Sequence, residues 1–109
     1  MSVAFEMRFA GATLEQYDRV MELMGLSQGN TSPEGAVFHW CAKTDDGIVV
    51  VDVWETDEQF EAFSKEQIGP FTEQVGLTGP PVVTRYEVHN TLVGDAAASH
   101  PGSFARAAS

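Results

Sequence analysis

The segment that most constrains the fold is Ile48–Trp54, a predicted strand that is apolar on both of its faces. Its apolar side chains occupy alternate positions of both parities, namely Val49, Val51 and Val53, and Ile48, Val50 and Trp54. Strands that are apolar at consecutive positions are typical of sheets covered on both sides. The strand must therefore lie inside a sheet, and each face of that sheet needs a cover.

Three further strands are predicted. Apolar side chains alternate with polar ones over Ser2–Phe9, the pattern of a strand with one buried face. A second strand, Ala36–Lys43, joins Ile48–Trp54 through Asp45-Asp46-Gly47, which suits a tight hairpin. The last strand is predicted over Val82–Asn90.

Two helices lie between these strands. Thr13 begins a capping box followed by apolar residues at helical spacing, and Gly25 is placed to end that helix. Thr56 begins a second capping box, and its helix is predicted to run to about Gln67. We expect Gly69-Pro70 to break it.

The order of elements, βαββαβ, predicts an α+β ferredoxin-like sandwich. In this fold a four-stranded antiparallel sheet carries both helices on one face. The simplest cover for the other apolar face is the same face of a second copy. We therefore expect a homodimer, a dimeric α/β barrel, formed by residues 1–93. Residues 94–109, rich in Ala, Ser and Gly, are predicted to be a disordered tail.

Charge and cysteine content disfavour several classes of function. The 109 residues include 6 basic and 16 acidic side chains, a net charge of −10, and the basic ones are scattered. Binding to nucleic acid or to an anionic membrane is therefore not expected. Cys41 is the single cysteine, and no Cys/His spacing of a zinc site is present. With no long apolar run and no signal-like N-terminus, we expect a cytoplasmic protein.

Polar side chains on the strands provide a candidate site on the face away from the helices. If Phe5 and Met7 pack against the helices, Glu6 and Arg8 point to the other face, and we expect one polar parity of each other strand to join them. The predicted set is Glu6, Arg8, His39, Asp52, Trp54, Arg85, Glu87 and His89. An apolar pocket with a few convergent polar groups is typical of small-molecule sites.

Asp52 is the residue of this set that most strongly indicates a functional site. A carboxylate among valines and beside Trp54 requires a hydrogen-bonding partner or conversion to its neutral form. His39 is either a satisfied interface residue or a general base. Arg8 and Arg85 have a structural alternative, since Arg8 could form an ion pair with Glu87 or Glu6, and Arg85 with Glu6.

The segment Val51–Phe63, which reads Val-Asp-Val-Trp-Glu-Thr-Asp-Glu-Gln-Phe-Glu-Ala-Phe, runs from a strand through Trp-Glu into a helix with an acidic first turn. It resembles the corresponding segment of the dimeric α/β-barrel superfamily, in particular its antibiotic biosynthesis monooxygenase-like branch. The likeness in topology and length covers about residues 2–92. It implies the ferredoxin-like fold and the dimer, and it makes Trp54 the family's cavity tryptophan. Asp52 lies where relatives often have an acidic or polar cavity residue.

The superfamily includes cofactor-independent oxygenases, haem-degrading monooxygenases, polyketide cyclases and proteins of no known function. Members with a histidine on the second helix, including the haem degraders, would need one just after Trp-Glu, but Phe63 stands nearest that position. Haem ligation in the family manner is therefore not expected. The resemblance implies a small enzyme, a monooxygenase or cyclase, that uses no cofactor and acts on an aromatic or polyketide-like substrate.

In that enzyme His39 or Asp52 would take a proton from the substrate. Arg85 or Arg8, together with stacking on Trp54, would hold the resulting anion. Two alternatives stay open. One is a non-catalytic small-molecule-binding or stress-associated homodimer, and the other is a purely structural dimer with a filled interface.

Overall fold

The computed structural model describes residues 1–27 and 32–98, and it has the predicted α+β ferredoxin-like fold. In chain order the elements are β1 (Val3–Ala10), α1 (Leu14–Met24), β2 (Ala36–Lys43), β3 (Gly47–Trp54), α2 (Asp57–Phe63), a π turn (Ser64–Ile68), α3 (Gly69–Gln74), β4 (Val82–Glu87) and a 3₁₀ turn (Asp95–Ala98). The strands form one antiparallel sheet in the order β2-β3-β1-β4. Within the described ranges, no helix is long and apolar enough to cross a membrane.

Both capping boxes predicted from the sequence are formed. The hydroxyls of Thr13 and Thr56 accept hydrogen bonds from the backbone N–H groups of Gln16 and Gln59, whose side chains accept from the cap backbone in return. Gly25 ends α1 in the left-handed region at φ 77°. A side chain would strain that conformation, so a glycine is the residue expected there.

The helical segment after Thr56 differs from the prediction, because Gly69-Pro70 does not break it. α2 continues through the wide π turn directly into α3. In that turn the N–H of Gly69 donates to the carbonyl of Ser64, five residues earlier. Proline has no N–H to donate, and a π turn shifts the hydrogen-bonding pattern by one residue. The shift lets the helix continue past Pro70.

Most strand bounds agree with the prediction to within one residue. β2 has the predicted bounds, whereas β4 ends at Glu87 rather than Asn90. Residues 29–31 of the predicted loop over Gly29–Gly35 lie outside the described part of the chain. So do residues 99–109 of the predicted tail, and before them Asp95–Ala98 form the 3₁₀ turn.

The register of the sheet assigns each strand side chain to one of two faces, because residues directly opposite in antiparallel strands share a face. The helix face, which α1, α2 and α3 cover, holds the buried residues of β1: Val3, Phe5, Met7 and Phe9. There the ring of Phe5 stacks on Phe60 of α2, with centroids 3.8 Å apart and planes 8° from parallel. This aromatic pair fixes α2 against the centre of the sheet.

The open face, on the other side of the sheet, carries large apolar side chains that remain accessible. Phe38 and Trp40 on β2 are 38% and 44% exposed, and Val82 and Tyr86 on β4 are 69% and 51% exposed. Each lies opposite a β1 or β3 residue that points away from the helices. Soluble monomers seldom leave such a set of neighbouring apolar side chains uncovered.

Gly47, the first residue of β3, lies where β1 passes unusually close. A Cβ atom at this position would lie 2.0 Å from the carbonyl oxygen of Phe9, so no side chain fits without moving the backbone. Just beyond, the N–H of Gly11 donates to the carbonyl of Asp46 over 2.7 Å. The glycine thus fixes how β1 and β3 meet at this end of the sheet.

Candidate functional site

The register corrects the predicted position of Asp52 and Trp54. Both lie on the helix face, because Asp52 is opposite Phe5 and Trp54 is opposite Val3. The prediction that they point to the open face is therefore wrong. β3 is apolar at both parities, so its own pattern does not distinguish its two faces, and only its pairing with β1 does.

The same correction applies to β2 and β4. His39 lies opposite Asp52, while Arg85 and Glu87 lie opposite buried residues of β1, so all three belong to the helix face. The predicted cavity between two helix-free faces would therefore not contain them. The prediction fails because the large apolar residues of β2 and β4 lie on the open face. The alternate, polar residues of these strands therefore lie on the helix face.

Two predicted catalytic residues are in direct contact. Nδ1 of His39 and Oδ1 of Asp52 are 2.6 Å apart. The Asp52 side chain is only 8% exposed, whereas the His39 side chain is 33% exposed. A buried carboxylate bonded to one ring nitrogen orients an imidazole and stabilises its protonated form, which is how general-base histidines are commonly held.

The second ring nitrogen of His39 contacts Tyr17, a residue absent from the predicted site. The Tyr17 hydroxyl lies 2.5 Å from Nε2, and the two ring planes are 8° from parallel with centroids 5.9 Å apart. On the sequence, Tyr17 belongs to the apolar stripe of α1. Its one distinguishing signal is a polar atom within that stripe, and such hydroxyls usually find a partner when buried.

Trp54 completes the group from the interior. Its indole N–H donates to Oδ2 of Asp52 over 3.3 Å. The side chain is 2% exposed and packs on Phe60 and Phe63 of α2, with ring centroids 6.3 Å and 5.1 Å away. The indole therefore contacts Asp52 and the helix, and it presents no open surface on which a ligand could stack.

The chemistry of these groups assigns the protons. Burial raises the pKa of the Tyr17 phenol well above its ordinary value, and the negative charges of the Cys41 thiolate, present at alkaline pH, and of Asp52 and Asp18 raise it further. The phenol therefore keeps its proton and donates it to Nε2. With Nε2 as acceptor, a neutral His39 carries its proton on Nδ1 and donates it to Asp52. We call the connected path Tyr17, His39 and Asp52 the proton relay.

Cys41 lies beside the relay, two residues after His39 on the same face of β2. Burial raises the pKa of its thiol to about 11, and Asp18 adds to this effect. The thiol is therefore neutral at physiological pH and a poor nucleophile.

Arg85 and Glu87 lie away from the relay. Arg85 makes a two-pronged ion pair with Asp57 at the start of α2, with N–O distances of 2.7 Å and 3.0 Å, and this hydrogen bonding lowers the pKa of Asp57. A Glu87 carboxylate oxygen is 4.0 Å from Arg85. Two strand spacings, about 10 Å, separate Arg85 from Asp52 across the sheet. Arg85 is therefore not placed to hold an anion beside His39.

Glu6 and Arg8 lie on the open face as predicted, and they pair with each other over 3.2 Å. Of the predicted ion-pair alternatives, Arg8 with Glu6 is the one that forms. Arg8 with Glu87 and Arg85 with Glu6 do not form, because each would join opposite faces of the sheet. His89 follows β4 and is exposed. These side chains therefore do not converge on one pocket.

Two open surface depressions lie elsewhere on the described part of the chain. One of about 340 Å³ adjoins Asp57 and Arg85, and another of about 410 Å³ lies between α1 and the end of α3. Neither is lined by a relay residue.

Among residues 1–27 and 32–98, no three His, Cys, Asp or Glu side chains are grouped to hold a metal ion. Solvent reaches the relay at the partly exposed Tyr17 and His39.

No protein-family model matches the chain, and neither does any curated protein. Solved structures do match it. A protein of unknown function from Nitrosomonas europaea is 17% identical with a TM-score of 0.63, over 85% of this chain and 94% of that one. A variant of SnoaB, a cofactor-independent oxygenase from Streptomyces nogalater, is 17% identical with a TM-score of 0.57, over 84% and 96%.

A monooxygenase from the ActVA-Orf6 gene of Streptomyces coelicolor, solved with the ligand Nanaomycin D, is 17% identical with a TM-score of 0.53, over 86% of this chain and 92% of that one. At these identities the likeness shows the fold. The chain therefore shares the ferredoxin-like fold of antibiotic biosynthesis monooxygenase-like proteins, as the resemblance of Val51–Phe63 implies.

Proposed function

We propose that this protein is a cofactor-independent oxygenase that removes a proton from a hydroxyaromatic substrate and lets the resulting anion react with O₂. The observation that carries the proposal is the proton relay, which runs without a gap from the partly exposed Tyr17 hydroxyl through His39 to the buried Asp52 carboxylate. Such a path can accept a substrate proton and hold it on His39 beside the buried Asp52 carboxylate.

Tyr17 is the member of the relay that would meet the substrate. Both ring nitrogens of His39 are already engaged, Nδ1 by Asp52 and Nε2 by Tyr17. The substrate proton would move to the Tyr17 oxygen as the phenolic proton moves to Nε2. No free tyrosinate is needed in this concerted transfer, which agrees with a phenol whose pKa is raised by burial.

His39 would then be positively charged, and the adjacent Asp52 carboxylate would stabilise it. A positive charge beside a nearly buried carboxylate gains more from that partner than it would beside a fully exposed one. Asp52 itself is not placed to contact a substrate, because its two oxygens are used by His39 and Trp54.

The oxidation balances with O₂ as the co-reactant. An activated methylene loses a proton to the relay, and the carbanion transfers one electron to O₂. Recombination forms a carbon–oxygen bond, and the peroxide takes a proton back from the relay. Loss of water then leaves a carbonyl, so one methylene and one O₂ give one carbonyl and one H₂O. The relay returns to its starting state.

The comparisons support this proposal at the level of fold. Among the structures with this fold are an oxygenase described as cofactor-independent and a monooxygenase that binds Nanaomycin D. A polycyclic hydroxyaromatic compound is therefore the substrate class to test first.

The test uses anthrone, a polycyclic compound with an acidic methylene, as the probe and oxygen uptake as the readout. We expect turnover by the native protein and a loss of about 10²- to 10⁴-fold in Tyr17→Phe and His39→Gln, the range expected for a proton-transfer group. Arg19→Ala is the control, because Arg19 lies on the same helix as Tyr17 but pairs with Glu22 in solvent. Turnover unaffected by both relay variants would contradict the proposal. If Nanaomycin D binds but no probe is oxidised, the non-catalytic binding protein is favoured.

We also propose that two copies associate through their open faces. The exposed apolar side chains of β2 and β4 support this assembly, because a second copy would remove them from water. Native mass spectrometry should then find a species of twice the 11.8 kDa chain mass. Trp40→Asp should convert that species to monomer, whereas Arg19→Ala should leave it intact. A native chain that is monomeric at micromolar concentration would exclude the homodimer.

A further inference from the structure

We propose that Trp54 is a positioning residue of the relay. Its indole N–H fixes the carboxylate of Asp52, and the carboxylate in turn fixes which nitrogen of His39 carries the proton. A catalytic role for Trp54 rests on the proposed function. The hydrogen-bonded connection from Trp54 through Asp52 to His39 is a property of the protein without substrate.

The buried indole is packed against α2, so its N–H has a defined direction. Trp54 is buried to 2% exposure, and Phe60 and Phe63 of α2 contact its ring system at centroid distances of 6.3 Å and 5.1 Å. Side chains two positions apart on a strand project from the same face, which places the indole beside Asp52. An indole nitrogen is a donor only, so the Asp52 oxygen it touches must accept.

The two oxygens of Asp52 are divided between two donors. Oδ2 accepts from Trp54 over 3.3 Å, and Oδ1 faces Nδ1 of His39 over 2.6 Å. Rotation of the carboxylate plane would weaken both contacts. While the indole holds Oδ2, Oδ1 stays aimed at Nδ1, and the His39 proton is drawn to that nitrogen. Nε2 is left as the acceptor for Tyr17.

Packing alone does not require a tryptophan at this position. A phenylalanine could contact Phe60 and Phe63, but it would leave Oδ2 buried without a donor. In the described part of the chain every buried side-chain nitrogen and oxygen has a partner. The indole N–H is therefore the feature that completes the Asp52 site.

The experiment compares Trp54→Phe with the native protein by ¹⁵N NMR of the histidine ring, which distinguishes the two tautomers. His39→Gln identifies the signals among the 3 histidines of the chain. We expect the native ring to favour the Nδ1–H form, and the variant to lose about tenfold of that preference, the factor that one charge-assisted hydrogen bond contributes, while keeping the part that Tyr17 maintains at Nε2. Trp40→Phe is the matched control, because Trp40 is the other of the 2 tryptophans and lies on the open face.

A second arm asks whether Trp54 acts through Asp52. In an Asp52→Asn background, adding Trp54→Phe should not change the His39 tautomer ratio further. An equal change in both backgrounds would overturn the proposal, and so would a folded Trp54→Phe variant with the native tautomer ratio. Neither readout needs turnover, so a failure of the proposed oxygenase function would be seen separately.

A further test keeps Trp54 in place and therefore applies even if Trp54→Phe does not fold. The indole N–H signal that remains in Trp40→Phe belongs to Trp54, and it should shift with the same pH midpoint as the His39 ring. An indole signal that does not respond when His39 titrates would contradict the link through Asp52.

Discussion

The two faces of the sheet each hold a pair of side chains that can carry opposite charges, but the two pairs have different surroundings. On the helix face His39 contacts the nearly buried Asp52 over 2.6 Å, and Trp54 supplies a second donor. On the open face Arg8 and Glu6 are 3.2 Å apart, and their side chains are 55% and 26% exposed. Removing one partner leaves a buried group unsatisfied in the first pair, whereas water replaces the lost partner in the second.

The largest effect is expected for Asp52→Ala. The change removes the acceptor of both His39 and Trp54 and opens a small cavity beneath the helices. We expect the free energy of unfolding, measured by urea denaturation, to fall by about 3 kcal/mol. Asp52→Asn, which keeps the volume and one acceptor oxygen, should lose less. A loss below about 1 kcal/mol for Asp52→Ala would show that burial does not govern this pair.

Cys41, also on the helix face, should react slowly with iodoacetamide. Burial raises the pKa of its thiol from the ordinary 9.0 to about 11, so the thiolate fraction at pH 8 should be about 100-fold lower than that of a free thiol. The urea-unfolded chain is the control. Because the folded state holds this proton more tightly, its contribution to stability is complete below pH 9 and is lost as the pH rises toward 11. Equal alkylation rates in the folded and unfolded chain would contradict the shift.

Tyr17→Phe should have a smaller effect on stability. It removes one hydrogen bond to a partly exposed imidazole, and we expect a loss of about 1 kcal/mol in urea denaturation. In ultraviolet titration, the native chain should contain a tyrosine that resists ionisation at alkaline pH because burial raises the pKa of Tyr17. That tyrosine should be missing in the variant, and an unchanged titration curve would place the shifted phenol elsewhere.

Arg8→Ala on the open face should have the smallest effect, within about 0.5 kcal/mol, as is usual for exposed ion pairs. The measurement is urea denaturation at low protein concentration. The denaturation is then repeated at increasing protein concentration. If the loss of unfolding free energy caused by Arg8→Ala grows with concentration, Arg8 lies in a contact between two copies.

Local sequence signals predicted the elements of this fold well. The two capping boxes, the glycine that ends α1 and the bounds of β2 all follow from short-range chemistry, and they are confirmed. Pro70 shows the limit of such signals. A proline interrupts the regular pattern of N–H donors, but a single π turn in the preceding residues compensates for the missing donor, and no local rule signals that turn.

The site was predicted only in part, and the reason lies in the sheet. His39 and Asp52 were both in the predicted set, as ionisable residues on neighbouring strands. The sequence of β3, however, is compatible with Asp52 on either face of the sheet. The face is decided by the register that sets Asp52 opposite Phe5, which is a long-range property. Tyr17 could not be found from its own surroundings, since its partner is 22 positions further along the chain.

The close approach at Gly47 has a consequence for the site at the other end of β3. A carbonyl that would lie 2.0 Å from any added Cβ leaves β1 and β3 very little freedom to slide at this point. A slip of one residue between β1 and β3 would place the side chains of β3 on the opposite face from their present β1 neighbours, so Asp52 would no longer share the helix face with Phe5. The absence of a side chain at Gly47 thus helps to fix the register of β1 and β3, about 16 Å along the strand from the Asp52 carboxylate that depends on it.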